Sequence, residues 1–204
     1  MPVIIRDPVH GAICLDELEK EIVLSRPLQR LRGIRQLGLV DSVYPGAAHS
    51  RLEHSLGCMH MAGRMAEHLG LPAEDVKKVR LAGLLHDLGH SALSHAVEGV
   101  LSRNPDLQPV IGGRSVFRHE QFTRSIIMEH PFPDEALRIA KSLYGEPEEL
   151  FSQVAEIASG LRPPLGQIIM GDIDADRIDF LLRDSHHDGV SLGLVDTDQI
   201  LQAL

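Results

Sequence analysis

Leu84-Leu85-His86-Asp87-Leu88-Gly89-His90 is the stretch that organises this chain. It ends a strongly apolar run and places an imidazole beside a carboxylate, at His86 and Asp87. Burying a polar group without a partner costs roughly 2–7 kcal/mol, and burying a charge costs more. A divalent cation would satisfy both side chains. The stretch therefore predicts a metal site at the end of a buried helix, with a hydrogen-bonded structural pair as the alternative.

Length and composition indicate a globular protein. The 204 residues are enough for one domain with a sizeable core, and 43% of them are apolar. A formal charge of −9 argues against a surface for long nucleic acid. The two cysteines, Cys14 and Cys58, have no CxxC spacing, which favours a reduced cytoplasmic location over a disulfide framework or a thiolate metal site. We find no signal peptide and no apolar run that could span a membrane.

The spacing of apolar residues predicts a mostly α-helical domain. Two short strands, over residues 3–5 and 12–15, flank a turn and predict a small N-terminal hairpin. Ser50 and Glu53 form a capping-box pattern, so a helix begins there and ends at Gly70, and Pro72 opens the next helix, which Gly89 breaks. The other predicted helices cover residues 16–24, 27–38, 119–130, 134–144, 147–159 and 165–187.

Two segments are less regular. Prolines and a Gly-Gly pair after residue 90 predict a loop or small lobe up to residue 118. Residues 198–204 resemble the start of an apolar helix without a stop signal, so we expect a C-terminally truncated chain. Residues 1–204 are expected to form a single domain.

Four side chains could form the metal shell. His54 lies near the start of the Ser50 helix, His86 and Asp87 end the Pro72 helix, and Asp176 lies in the 165–187 helix. This mixed nitrogen and oxygen set suits one divalent transition metal, namely Mn, Fe, Zn, Ni or Co, and Mg could accompany a substrate. Open positions would let the metal acidify water and polarise a phosphoryl oxygen. Alternatively, the aspartates at residues 172–179 form a solvated face, and Asp179 pairs with Arg183 at i,i+4.

An ordered set of motifs resembles the HD-domain phosphohydrolases. The motifs are Asp7-Pro8-Val9-His10-Gly11, Gln29-Arg30-Leu31-Arg32, Gln36-Leu37-Gly38, Tyr44-Pro45-Gly46-Ala47, His49 to Gly57, His86-Asp87-Leu88-Gly89-His90 with Ser94-His95, His119-Glu120-Gln121, and Ile173 to Arg177 through Arg183 to His187. The closest likeness is to the catalytic core of the SAM-and-HD-domain deoxynucleotide triphosphohydrolases and their bacterial dGTPase-like relatives. The resemblance implies an all-α HD-domain helical bundle with a small N-terminal β-hairpin. It also implies hydrolysis of a dNTP to nucleoside and triphosphate.

The resemblance assigns site residues across the chain. It implies His54, His86, Asp87 and Asp176 as metal ligands. The substrate-binding residues that it implies are Gln36, Arg51, Arg177, Phe180 and Asp184. Arg51 and Arg177 would contact phosphates, and Gln36 and Asp184 the sugar. At the Arg177 position the family usually has Lys, and at the Phe180 position close relatives have Tyr, so Phe180 cannot donate the corresponding hydrogen bond. From the residues alone, Arg51 and Arg177 could instead pair with Glu53 or Asp179.

Histidine titrates near neutral pH and is suited to proton transfer. The resemblance places His90, His95 and His119 in the active site, with Glu98 where close relatives have Asp. Our hypothesis is that water attacks the α-phosphorus and His95 protonates the leaving 5′-oxygen. His119, together with Glu98, would orient His95 or the water. His90 could be catalytic or support the metal site.

Two other functions remain open. One is an HD-type nucleotidase or phosphodiesterase that acts on other nucleotides, and the other is a non-catalytic nucleotide-binding protein with a structural metal. The expected partners are a nucleotide, most simply a dNTP, and further copies of the chain in a homo-oligomer, as a dimer or tetramer. We expect no membrane partner.

Overall fold

The computed structural model describes residues 3–129 and 131–204, and within these ranges the fold is mainly helical. The two N-terminal strands are β1 (Val3–Asp7) and β2 (Gly11–Leu15). The α-helices are α1 (Glu17–Val23), α2 (Arg26–Arg30), α3 (Arg51–His68), α4 (Ala73–Leu85), α5 (His95–Arg103), α6 (His119–Met128), α7 (Asp134–Tyr144), α8 (Pro147–Ala158), α9 (Ala175–Asp188) and α10 (Thr197–Ala203). This architecture confirms the predicted helical fold with an N-terminal hairpin.

The N-terminal hairpin is antiparallel, and Val3 pairs with Leu15 while Asp7 pairs with Gly11. A second small hairpin, which was not predicted, joins β3 (Val110–Ile111) to β4 (Arg114–Ser115). It lies within the stretch that the prolines and glycines marked as irregular.

Helix α3 forms the centre of the bundle and packs mainly against α4 and α9. It begins as predicted, because Ser50 accepts from the backbone of Glu53 while Glu53 accepts from the backbone N–H of Ser50 at 2.6 Å. Its backbone comes close to α4 at Gly83, where an added Cβ would lie 3.0 Å from the Cα of Met59. This close packing fixes the residues of α3 relative to the end of α4.

Several predicted boundaries are wrong. The helix expected over residues 27–38 ends at Arg30 and continues as a 3-10 turn over Leu31–Gly33. The chain then bonds to the segment before α3, since the N–H of Gln36 donates to the carbonyl of His49 at 3.0 Å. Helix α4 ends at Leu85, so His86 and Asp87 lie in the turn that follows it, before Gly89.

Three further boundaries differ from expectation. Helix α5 occupies part of the region expected to be a loop, and it has no fully buried residue. The helix expected over residues 165–187 is a 3-10 turn over Leu165–Ile168, an irregular segment, and then α9. The helix expected over residues 119–130 ends at Met128, and residue 130 lies outside the described residues. In the described part of the chain, no helix is long and apolar enough to cross a membrane.

Candidate active site

The four side chains expected to hold a metal converge where α3, α4 and α9 meet. His54 lies on α3, and His86 and Asp87 lie in the turn after α4. Asp176 is the second residue of α9, not an interior residue of a longer helix. The Nε2 atom of His54 is 2.9 Å from Oδ1 of Asp176 and 3.9 Å from Oδ2 of Asp87. The Nε2 atom of His86 is 3.3 Å from Oδ1 of Asp87 and 3.7 Å from Oδ1 of Asp176.

The rings of His54 and His86 each turn their Nε2 atom toward the place where the four side chains meet. The Nδ1 atom of His54 donates to Oδ2 of Asp179 at 2.7 Å, and Nδ1 of His86 donates to the carbonyl of Gly83 at 2.8 Å. Their Nε2 atoms are buried and have no hydrogen-bond partner in the described part of the chain. A histidine that binds a metal usually donates its other N–H in this way. The residues present therefore fit a divalent metal ion.

The charges around the cluster also favour a cation. Burial alone would lower the pKa of His54, but Asp176 and Asp179 outweigh it and raise that pKa to about 9. Burial alone would raise the pKa of Asp87, whereas His86 holds it well below its ordinary value. Ionised carboxylates that stabilise positive charge on buried groups are the electrostatic setting that a cation needs.

Asp179 is buried behind the metal cluster and accepts hydrogen bonds from several side chains. Besides His54, it accepts hydrogen bonds from Nε2 of His10 at 2.7 Å and from Nε and Nη2 of Arg183, both at 2.9 Å. The side chain fits against α3 only because that helix has Gly57 at the crossing, where an added Cβ would lie 1.8 Å from Oδ1 of Asp179. The i,i+4 pair between Asp179 and Arg183 that was expected from the sequence is present, and Asp179 also orients the His54 ring.

The N-terminal hairpin is connected to Asp179 through Arg183. Asp7 accepts hydrogen bonds from the N–H groups of Val9 and His10 at 2.9 and 2.8 Å, which shapes the turn. Its other oxygen accepts from Nη1 of Arg183 at 2.9 Å. The motif at residues 7–11 therefore links the hairpin to α9 and to the support of His54.

Side chains from elsewhere in the fold fix the turn after α4. Arg30 donates to the carbonyl of His90 at 2.7 Å and to that of Leu88. The hydroxyl of Thr123 on α6 accepts from the N–H of Gly89 at 2.8 Å and donates to the carbonyl of residue 86 at 2.7 Å. An added Cβ on Gly89 would lie 2.0 Å from a backbone oxygen of α6, so this position requires glycine.

Arg51 reaches the metal cluster from the first turn of α3. Its Nη1 atom lies 2.5 Å from Oδ2 of Asp87, and its Nε donates to Oγ of Ser94 at 2.9 Å. Its Nη2 lies 3.4 Å from the carbonyl of Gln36. Glu53, the alternative partner considered from the sequence, instead caps α3. The structure thus places one buried guanidinium directly beside the cluster.

A strained segment connects this arginine to the next group of histidines. Leu93 and Ser94 have φ values of 62° and 44°, in the left-handed region that branched and bulky residues rarely adopt. Such strain persists when the surroundings fix the backbone. The bond from Arg51 to Ser94 holds this segment where α5 begins, at His95.

The residues expected to transfer protons form a second cluster beside the first. His90 lies 3.3 Å from Oδ1 of Asp87, and its ring stacks on His119 with centroids 3.9 Å apart. Glu98 lies between the other two histidines, with its oxygens 3.0 Å from Nδ1 of His95 and 2.7 Å from Nδ1 of His119. The side chain of His95 is 68% exposed, so the ring is accessible to a ligand.

Protonation states differ within this cluster. Burial is the main cause that lowers the pKa of His90 to about 4, so this ring is neutral at pH 7. Burial alone would raise the pKa of Glu98, but its hydrogen bonds with His95 and His119 lower it to about 2. An ionised carboxylate therefore accepts from both histidines and fixes the orientation of their rings.

The expected substrate residues are more scattered. Oδ1 of Asp184 accepts from Nε2 of the buried His49 at 2.8 Å, and Oε1 of Gln36 is buried without a hydrogen-bond partner in the described ranges. Arg177 is exposed and donates to two carbonyls of the preceding loop, at 2.5 and 3.3 Å, rather than to Asp179. Phe180 is partly buried on α9.

Sequence reasoning missed the residues that support the site. Asp179, Arg30, Thr123 and His49 contact proposed site residues or their backbone but were given no role in the site. A signal existed for Asp179, since Asp176 and Asp179 are three residues apart and share a helix face. No local signal identifies Thr123, because its contacts with the turn span 34 to 37 residues.

Comparisons with known proteins agree with this geometry. The sequence profile of the HD domain matches residues 51–181, and HD domains bind divalent metals. The chain is 40% identical over 98% of its length to the uncharacterized protein MJ1154 of Methanocaldococcus jannaschii, of which it covers 37%. It is 34% identical over 92% of its length to the human deoxynucleoside triphosphate triphosphohydrolase SAMHD1, of which it covers 33%.

A solved structure of a hypothetical protein from Aquifex aeolicus superposes with a TM-score of 0.80 at 36% identity, covering 98% of this chain and 50% of that one. The chain thus spans between about a third and a half of the length of these relatives. The family profile matches the region that contains all four converging side chains, from His54 to Asp176. The chain belongs to the HD domain family.

Proposed function

We propose that the protein is a metal-dependent phosphohydrolase that converts a dNTP to nucleoside and triphosphate. One observation carries the proposal. The Nε2 atoms of His54 and His86 are buried without hydrogen-bond partners in the described residues, and both point to the carboxylates of Asp87 and Asp176. The name of the SAMHD1 relatives supports the choice of a dNTP.

These four side chains would hold one divalent cation. The donor set of two imidazoles and two carboxylates suits Mn, Fe, Zn, Ni or Co. Bound there, the ion would supply an acidified water and polarise a phosphoryl oxygen. Asp179 and the Gly83 carbonyl keep each ring in the tautomer that leaves Nε2 free.

Arg51 is the residue best placed to bind a phosphate of the substrate. Its guanidinium is buried beside Asp87 and is fixed by Ser94, so it would lose little conformational freedom on binding. Charge-assisted hydrogen bonds from such a group are among the strong ones in proteins. Arg177 would have to exchange its bonds to the preceding loop for a second phosphate contact.

The second cluster would transfer the proton. His95 would donate from Nε2 to the 5′-oxygen as the bond between phosphorus and oxygen breaks, while water adds to phosphorus. Glu98 stays ionised and accepts from Nδ1 of His95, which would orient the ring for transfer from Nε2. His119 shares that carboxylate and keeps it in place.

Gln36 and Asp184 would recognise the sugar hydroxyl. The buried Oε1 of Gln36 lacks a hydrogen-bond partner within the described chain, and a hydroxyl could supply one. His49 holds one oxygen of Asp184 and leaves the other available.

A specific observation favours a second candidate, an HD nucleotidase or phosphodiesterase that acts on shorter phosphate esters. Arg177 is bonded to its own loop, and Phe180 has no hydroxyl. Of the two arginines expected to bind phosphate, Arg51 alone is already in contact with the metal cluster. One such contact suits a substrate with a single phosphate as well as one with three.

Product analysis separates the two candidates. The chain, after determination of its bound metal, is assayed with dNTPs, NTPs and NMPs in Mn, Mg, Co or Ni. Inorganic triphosphate and nucleoside from a dNTP support the first, and orthophosphate from a monophosphate supports the second. In His54→Gln, metal content and turnover should both be lost, whereas His68→Gln, on the exposed end of the same helix, should retain them. Absence of metal-dependent turnover on every ester would reject both candidates.

A further inference from the structure

An arginine-lined cavity lies next to the second cluster, between the β3–β4 hairpin, α6 and the loop after α8. Its volume is about 930 Å³, which is large enough for a nucleotide-sized ligand. The charged residues on its wall are Arg114, Arg118, Arg124 and Glu120. The wall therefore carries three positive charges and one negative charge, in a chain whose formal charge is −9.

These arginines are not used within the fold. Within residues 3–129 and 131–204, the side chains of Arg114 and Arg124 make no ion pair or hydrogen bond, although the chain has 29 acidic residues against 20 lysines and arginines. Arg118 only stacks on Phe117, with its Cζ 5.7 Å from the ring centroid. Unpaired guanidiniums on a concave surface are available to an external anion.

The arrangement suits an elongated anion better than a single phosphate. Arg118 directly precedes α6, Arg124 lies six residues later, and both line the cavity, so they would contact points that are separated along the helix. Arg114 faces them from the hairpin. Several guanidiniums spread along one wall match the successive phosphates of a chain, each of which accepts charge-assisted hydrogen bonds.

The cavity adjoins the proton-transfer cluster. Phe117, Arg118 and Glu120 line it and also line the smaller cavity that contains His95 and His119. A phosphate chain held by the arginines would therefore have one end near the groups proposed to act in hydrolysis.

We propose that Arg114, Arg118 and Arg124 form a binding site for condensed phosphate, either inorganic triphosphate or the phosphate tail of a nucleotide. The site is separate from the four proposed metal ligands, and its occupancy does not require hydrolysis. The binding proposal can therefore be wrong while the proposed function is right, and the proposed function can be wrong while the binding proposal is right.

Calorimetric titration of the full chain, as isolated, tests the proposal. The ligands are inorganic triphosphate, orthophosphate, a nucleoside monophosphate and a nucleoside triphosphate analogue in which a methylene group replaces the 5′-oxygen, so that the bond broken in the proposed hydrolysis is absent. The charge-loss variant is Arg114→Ser/Arg124→Ser. The control is Arg6→Ser/Arg26→Ser, which removes the same charge from two exposed arginines that have no partner in the described chain.

We expect triphosphate to bind more tightly than orthophosphate and more weakly as salt is added. The charge-loss variant should weaken triphosphate binding by about tenfold or more, since two charge-assisted contacts are removed, while the control stays within about twofold of the original chain. Equal affinities for inorganic triphosphate and the nucleotide analogue would identify the phosphate tail as the whole ligand, and tighter binding of the analogue would identify a nucleotide.

Three results would overturn the proposal: no binding of either triphosphate at millimolar concentration, equal affinity in the original chain and the charge-loss variant, or an equal loss in both double variants. Amide hydrogen exchange gives an independent location, because bound triphosphate should protect residues 110–125. Both variants replace exposed side chains without internal bonds, so thermal unfolding should remain unchanged.

Discussion

Replacement of Asp179 by Asn tests whether this carboxylate holds the metal site together. The carboxylate accepts four hydrogen bonds, from His10, His54 and twice from Arg183, at 2.7 to 2.9 Å. Asn has nearly the same shape but only one accepting oxygen. Each oxygen of Asp179 accepts from one nitrogen of Arg183, and Oδ2 also accepts from His54. If the amide N–H₂ takes the place of Oδ2, it faces Nδ1 of His54. The ring would then accept at Nδ1 and carry its proton on Nε2, the atom that should bind the metal.

The magnitudes follow from burial. Removal of one partner of a buried charge pair costs about 3–5 kcal/mol. At about 2–4 °C per kcal/mol for a chain of this size, the midpoint of thermal unfolding should fall by about 6–20 °C. Loss of a residue that orients a metal ligand typically weakens metal binding by about 10- to 100-fold.

Urea unfolding and a metal titration measure the two effects of Asp179→Asn separately. Asp184→Asn is the matched control, because Asp184 also accepts from a histidine but makes a single side-chain hydrogen bond among the described residues and is partly exposed. The control should lose less stability and keep its metal affinity. If Asp179→Asn loses less than about 1 kcal/mol and binds metal within about twofold of the original chain, Asp179 does not orient His54.

Three further predictions concern other parts of the site. His95→Ala should keep its metal but lose turnover by about 100-fold or more, as expected for a general acid, and near-normal turnover would remove that role. Gly89→Ala places a Cβ 2.0 Å from a backbone oxygen of α6 and should lower the unfolding free energy by about 1–3 kcal/mol, whereas Gly99→Ala, with its nearest contact at 3.4 Å, should not destabilise the chain. Burial lowers the pKa of His60 to about 4, below its value near 6.5 in the unfolded chain. Between these pH values the unfolded state binds more protons than the folded state, so the free energy of unfolding falls as pH falls from 6.5 to 4. In His60→Gln the loss of stability with falling pH should be shallower. The difference in slope should be less than about 1.4 kcal/mol per pH unit, because the ring is partly exposed. An unchanged slope in urea unfolding would show that His60 does not cause this loss.

The elements that local chemistry defines could be predicted from the sequence. The capping box at Ser50 and Glu53 and the proline at position 72 gave the start of α3 and of α4 correctly, because the bonds and restrictions that begin a helix involve neighbouring residues. The convergence of His54, His86, Asp87 and Asp176 depends on how three helices pack. That arrangement was expected from a resemblance and not from spacing.

The errors have tertiary causes. Apolar spacing favours a helix up to residue 38, but the backbone after Arg30 bonds to the segment before α3. Helix α5 was missed because the prolines and the Gly112-Gly113 pair that follow it led to the prediction that the whole region is irregular. The start of α9 could have been found, since Asp174 is an N-cap residue that accepts from the N–H of Arg177 at 2.7 Å.

The hydrogen bonds between the first turn and α9 have a consequence for the order of folding. Asp7 and His10 contact Arg183 and Asp179, residues that follow them in the chain by 176 and 169 positions. Contacts at such a sequence separation close slowly, because a long loop must be ordered first. During synthesis, the ribosome must therefore release α9 before His54 acquires its fixed orientation. We expect metal capture to be one of the last steps in maturation of the nascent protein.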